Sequence, residues 1–256
     1  MKPFPNAKRS VKVPVRPSMV SIALLVCIFI SFNSAESARV LKIEYQALKA
    51  EISRKQIECY GRFQKTVNEE EKDSIVSESR VYIFKELTDN ILPAWYGTKW
   101  GFYGNSRIPG QGEIACGNFV IFTLQDASFK IISRMANQPS ENIISNLTSP
   151  KDIRKFWNAV PMNEVLKWIK NQGEGLFVVG LDFHIGYLIY RGGKITFCHS
   201  NYYPHQPKVV NDDALSKSPL TDSKYRVIGK ILNDRMMRKW IQGGSFPITY
   251  DHFRKR

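Results

Sequence analysis

The sequence predicts an α+β domain in which helices come first and antiparallel strands follow. Three observations lead there. Residues 40–91 carry apolar side chains at helical spacing, residues 176–199 hold three short strand-like runs, and a glycine turn joins the last two of those runs. Of the 256 residues, 43% are hydrophobic and 23% charged, which suits a folded body and excludes a disordered or collagen-like chain.

The first 38 residues stand apart. Residues 1–18 carry Lys2, Lys8, Arg9, Lys12 and Arg16 and no acid, and an apolar run follows over 19–32. Ser34, Ala35, Ser37 and Ala38 then supply a small-residue exit. A basic flank, a short apolar core and such an exit are the pattern of a secretory signal, with an uncleaved N-terminal anchor as the alternative. The expected location is therefore outside the cytoplasm, in the periplasm or cell envelope, with membrane contact only through this segment if it is retained. No later apolar run is long enough to span a bilayer. The whole chain has 37 basic and 23 acidic residues, and removing residues 1–38 takes away five basic residues and one acid. The remainder is still basic, which suits an anionic partner such as a cell-wall polymer. No helix-turn-helix, zinc-finger or RNA-binding aromatic motif points to nucleic acid.

Residues 39–91 read as a helical extension. Val40, Leu41, Ile43, Leu48, Ile52, Ile57 and Phe63 predict a helix ending near Lys65. A second helix over 69–91 is opened by Glu69, Glu70 and Glu71 and stopped by Pro93. Residues 92–235 would form the main domain. Its segment 94–113, rich in Trp, Tyr and Gly, is a long loop of the kind that carries function. Residues 116–130 predict a buried helix with Phe119, Val120, Thr123, Leu124 and Ala127 on one face. Pro139, Pro150 and Pro161 punctuate a mixed stretch that ends in a helix over Met162–Asn171. Strands follow at 176–181, 184–190 and 194–199, and one more at 225–232. Arg191-Gly192-Gly193 forms the tight turn between the second and third. Residues 236–256, ending in Arg254, Lys255 and Arg256, read as a basic solvated tail.

Three residues compete for a chemical role. Cys116 lies where a glycine-rich loop feeds a helix, and the positive end of a helix favours thiolate. Gly117 beside it allows close approach of substrate or backbone. His184 opens one strand of the hairpin and His199 ends the next, so the pairing register brings the two imidazoles together. A cysteine, then a histidine, then a polar residue that orients the histidine is the order of a papain-like triad. Cys198 alternates with His199 and faces the other side of the sheet. It would either pair with Cys59 after export or be buried with it as free thiols. No spacing of Cys and His fits a metal site, and no cofactor is implied.

At these residues a family resemblance emerges. Ile114-Ala-Cys-Gly-Asn-Phe-Val120 resembles the D-C-S-G-F-V segment of the NlpC-type papain-like cysteine peptidases. The run from His184 to Ser200 resembles their H-V-G-I-Y-L-G-N-G-K-F-I-H-A-S segment, and Trp95-Tyr96-Gly97-Thr98 their upstream Y-x-W-G-G-T loop. The resemblance spans roughly residues 92–202, with an extra helical insertion near 133–172. It implies a catalytic helix packed on a small antiparallel sheet. It also implies hydrolysis of peptide or amide bonds in peptidoglycan without metal or organic cofactor. Carried over by position, Cys116 is the nucleophile, His184 the general base and His199 the orienting residue. The Cys116 backbone N–H, aided by Tyr96, would meet the developing oxyanion. Tyr96, Trp100, Gly117 and Asp182 are the expected substrate contacts. Ala115 and Gly117 depart from the family's Asp and Ser, which bears on substrate choice. The alternative is a catalytically silent binding domain on the same fold, recognising wall fragments or a protein partner through its basic, aromatic-rich loop. A third expectation keeps the triad and uses it for acyl transfer.

Overall fold

A computed structural model describes residues 19–249 of the chain. Residues 1–18, the side chains through residue 41, and residues 250–256 lie outside the described residues. So do most of the expected export signal and the basic cluster at 254–256. The chain divides after Leu41 into an N-terminal unit and a body, Lys42–Arg256.

Helix α1, Met19–Lys65, ends where the sequence pattern ends. Within the body its buried stripe is Tyr45, Ile52, Cys59 and Phe63, side chains about two helical turns apart or one turn apart on one face. Helix α2, Glu69–Lys85, starts at Asn68, whose side chain accepts the Glu70 backbone N–H at 2.8 Å. Pro93 does not stop the helical run as the sequence suggested. A π-helical turn, Glu86–Ile91, leads into α3, Leu92–Trp95, where Pro93 sits in the first turn. The ladder shifts register just ahead of it, with the Leu92 N–H bonded to the Leu87 carbonyl five residues back, and this π turn carries the helical run past a residue that has no N–H to give.

The strand pairs β1 (Lys99–Trp100) with β2 (Glu113–Ile114) lead to α4, Cys116–Asp126. After β3, Lys130–Ile131, come a 3₁₀ turn at Ser133–Asn137 and α5, Ser140–Leu147. Then follow β4 (Ile153–Phe156), α6 (Met162–Asn171), β5 (Gly175–Leu181), β6 (Ile185–Arg191) and β7 (Lys194–Ser200). The chain closes through β8 (Val209–Asp213), α7 (Pro219–Asp222), β9 (Arg226–Lys230), α8 (Asp234–Ile241) and β10 (Ser245–Phe246). Six of the strands form one antiparallel sheet in the order β4-β9-β5-β6-β7-β8. The α+β class is therefore as the sequence predicts.

Alternation along the strands explains why helices cover both faces. Leu176, Val178, Ile185, Tyr187, Ile189 and Cys198 face a core shared with α1, α2, α4, α5 and α8. Phe177, Val179, Leu188, Phe197 and Ile228 face the opposite way, onto Val165 and Ile169 of α6. The expected division after residue 91 has no counterpart in the packing: Ile83, Leu87, Ile91, Leu92 and Trp95 belong to one cluster with the α4 core. The tail is also corrected. Met236, Met237, Trp240 and Ile241 are buried, and β10 pairs with β3. An amphipathic stripe hides among the basic residues of α8.

If residues 42–65 are part of the core, Ile52→Ala costs about 2–5 kcal/mol in urea unfolding of the full chain, as for other buried aliphatic deletions. A loss below about 0.5 kcal/mol would mean that this helix is dispensable to the body.

Candidate active site

The β6–β7 hairpin sets the two imidazoles. Gly192 and Gly193 both take left-handed φ values, 57° and 76°, as a two-residue hairpin turn demands. The pairing runs from Arg191↔Lys194 to Tyr187↔Cys198, so His199 lies at the far end of β7 and His184 just before β6 begins. His184 Nε2 and His199 Nδ1 are 2.8 Å apart. Gly186 makes this possible: a Cβ there would lie 2.7 Å from the His199 Cβ and 2.8 Å from the Phe197 ring. Those two side chains fill the space above this glycine. The His199 ring stacks on Phe197 at 4.0 Å between centroids.

Cys116 is placed by a separate set of contacts. It is the first residue of α4, after Ala115 in extended conformation. Tyr187 ties α4 to the sheet, donating to the Val120 carbonyl at 2.7 Å and lying 2.9 Å from the Thr123 hydroxyl. Ser200 at the end of β7 donates to the Ile114 carbonyl at 2.8 Å, two residues before Cys116. The glycine-rich loop closes over the helix start, where the Gly104 carbonyl accepts the Ala115 N–H at 2.8 Å and the Asn118 side chain at 2.7 Å. A Cβ at Gly104 would lie 2.5 Å from the Ile114 nitrogen, so only glycine permits this approach.

Cys116, Gly117, Asp182 and His184 line one cavity of about 240 Å³. Its other wall comes from Ala136, Gln138, Pro139, Ser140 and Ile143, within the insertion near 133–172. The volume lies at or below the lower end for small-molecule sites and suits a side chain or a short acyl group. His184 is 4% exposed, and its Nδ1 is buried without a hydrogen-bond partner among the described residues. His199 Nε2, at the other end of the imidazole pair, is likewise buried without a partner; of the two, His184 belongs to a residue that lines the cavity with the thiol.

Electrostatics differ from the sequence expectation. Burial pushes the Cys116 thiol above its ordinary range, against the backbone N–H groups of Ile185, Gly117 and Cys116 itself, which pull it down. The helix start alone therefore does not favour thiolate. Burial also holds His184 and His199 well below the ordinary imidazole range, and the neighbouring imidazole adds to this at His199. At neutral pH the site is a thiol beside a neutral imidazole pair.

The remaining expected contacts separate. Gly117 is needed because a Cβ would lie 2.2 Å from the Ala136 carbonyl oxygen. Backbone from the 3₁₀ turn, rather than substrate, makes the close approach, and a serine would not fit there. Asp182 lines the cavity and accepts the backbone N–H groups of Lys224 at 2.8 Å and Tyr225 at 3.2 Å. Tyr96 is not among the cavity residues; its hydroxyl interacts electrostatically with Cys198 and the Asn211 side chain instead. Trp100 reaches the site only through Tyr202, whose ring lies 6.1 Å from Trp100 and 5.2 Å from His184. Tyr202 is a ring neighbour of His184 that sequence reasoning missed; the aromatic pair at 202–203, three residues past His199, was its signal. Cys59 and Cys198 are buried free thiols.

Both imidazoles are kept neutral in the folded chain while the unfolded chain binds protons below about pH 6.5, so stability falls as pH drops through that value. Urea unfolding of His184→Gln/His199→Gln shows a shallower decline between about pH 7 and pH 5 than wild type. Equal slopes would mean that the imidazoles titrate normally in the fold.

Searches against protein-family models, curated proteins and solved structures found no match to this chain.

Proposed function

We propose that the chain is an exported cysteine hydrolase of papain-like architecture that cleaves a peptide or amide bond, with peptidoglycan peptide as its substrate. One observation carries this reading: His184, its Nε2 held by His199 and its buried Nδ1 vacant, lines the same cavity as Cys116 at the start of α4. The packing of α4 on an antiparallel sheet supports the papain-like assignment. Export and the peptidoglycan substrate rest on the signal-like N-terminus and on the resemblance over residues 92–202.

Because thiol and imidazole are both neutral at rest, the chemistry is general-base catalysis rather than attack by a preformed ion pair. For His184 Nδ1 to accept a proton, its Nε2 must carry one and donate it to His199 Nδ1. With a carbonyl seated over Cys116, the Sγ proton passes to His184 Nδ1 as sulfur bonds to the carbonyl carbon. The carbonyl electron pair moves onto oxygen, where the backbone N–H groups at the start of α4 face the developing charge. The imidazolium then protonates the leaving amine as the C–N bond breaks, giving a thioester on Cys116. His184 next takes a proton from water, whose oxygen attacks the thioester. The acid leaves and the proton returns to sulfur. The protein supplies every group but the water.

A second reading, a silent binding domain, is favoured by the raised thiol and by the exposed rings of Phe102, Tyr103 and Phe183, which are 72%, 89% and 92% accessible. Incubation with peptidoglycan digests, read by mass spectrometry, separates the two. Wild type releases new peptide termini, Cys116→Ala releases none while unfolding cooperatively, and His184→Ala loses about 10²–10⁴-fold. Hydrolysis by Cys116→Ala overturns the triad. Binding of wall fragments by wild type without turnover supports the second reading.

A further inference from the structure

A cavity larger than the one around Cys116 lies away from the thiol. It encloses about 700 Å³ at the other end of β5, lined by α2, the Gly173–Gly175 turn, the end of β9 and the start of α8. β5 leads from this cavity at Gly175 to the catalytic cavity at Leu181, seven residues that span roughly 20 Å. Its walls are of two kinds. Val81, Phe84, Leu176 and Ile231 give it an apolar side, and Lys151, Lys230 and Arg235 give it positive charge.

The charges in this cavity are not balanced. Asp234 is paired with Arg80, while Glu174 accepts the Gly192 N–H and Asp152 the Asn233 side chain at 3.3 Å, donors that carry no charge, so four cations face three carboxylates and leave one positive charge in excess. The other three cations have no ion pair among the described residues. Lys230 donates to the Gln172 and Gly173 carbonyls, and Arg235 donates to the Thr148 carbonyl at 3.3 Å. A backbone carbonyl accepts a hydrogen bond but neutralises no charge. Lys230 is half-buried, its stem running under Gly175, where a Cβ would lie 2.9 Å from the Lys230 Cε. Burial and the nearby Arg80 disfavour its charged form more than Asp152 favours it, and an anion in the cavity would add to the favourable side.

We infer that this cavity binds a small organic anion, a carboxylate, phosphate ester or sulfonate on an apolar body, with the acidic group at Lys151, Lys230 and Arg235 and the body against Val81, Phe84 and Ile231. The site is independent of the hydrolase assignment and shares no residue with the cavity around Cys116.

Fluorescence titration of the full chain with 8-anilinonaphthalene-1-sulfonate tests it, since the probe joins a sulfonate to an apolar ring system. Saturable binding at one site per chain is expected, weakening with added salt. Val81→Glu and Lys151→Glu/Arg235→Glu change exposed side chains, so folding tolerates them, and each weakens binding about ten-fold or more. Phe183→Glu, beside Cys116, leaves it unchanged. Dansylcholine, a naphthyl probe of opposite charge, gives no saturable signal. Equal binding by wild type and both charge variants, loss on Phe183→Glu, or no saturable binding would each overturn the site.

Discussion

The hydrogen bond between His184 Nε2 and His199 Nδ1 is the constraint on which the rest of the candidate site depends. It leaves Nδ1 as the one nitrogen of His184 able to serve as a base, and it fixes the ring that carries it. The bond exists because of backbone geometry. A tight glycine turn sets the β6–β7 register, the register carries His199 to the end of its strand, and Gly186 leaves the space that His199 and Phe197 fill. Any side chain at residue 186 would push the two rings apart. Burial does the rest, since imidazoles removed from water stay neutral and keep a lone pair for proton transfer.

The thiol is held by a second and separate scaffold. Tyr187 fixes α4 against the sheet, Ser200 ties the end of β7 to the residues before Cys116, and Gly104 lets the loop cross the helix start. Two opposing effects meet at the sulfur. The backbone N–H groups around it favour the anion, and desolvation disfavours it more. The outcome is a protonated thiol, so the proposed reaction needs a base, the role proposed for His184. The segment that follows α4 completes the cavity, and its Ala136 carbonyl occupies the space a serine at 117 would need.

What the sequence disclosed follows from how strongly local chemistry constrains each element. The hairpin was legible because paired glycines and alternating apolar residues leave few other conformations. Helix α6 was legible end to end because Pro161 precedes it and Gly173 follows it closely. The edge strands were not. β4 is four residues long with Arg154 exposed, and β8 ends in Asn211, Asp212 and Asp213, so neither shows an apolar run. In α8, Arg235, Arg238 and Lys239 interleave with the buried stripe, and the charge obscured the core. At the site, Cys116 and His184 came from motif order and His199 from strand register. Tyr96 was misjudged because its place in a loop said nothing of its hydroxyl, which turns to Cys198 and Asn211. Tyr202 was missed because an aromatic beyond a strand end has no periodicity to mark it.

The most direct measurement is the pH dependence of the histidine ring ¹⁵N chemical shifts in the full chain, assigned with His184→Gln and His199→Gln. The account predicts that both rings remain neutral well below about pH 6.5, with His184 protonated at Nε2 and bare at Nδ1. A His184 that carries its proton on Nδ1, or that takes up a second proton near its ordinary pKa, would contradict it, because the vacant base beside Cys116 would then not exist.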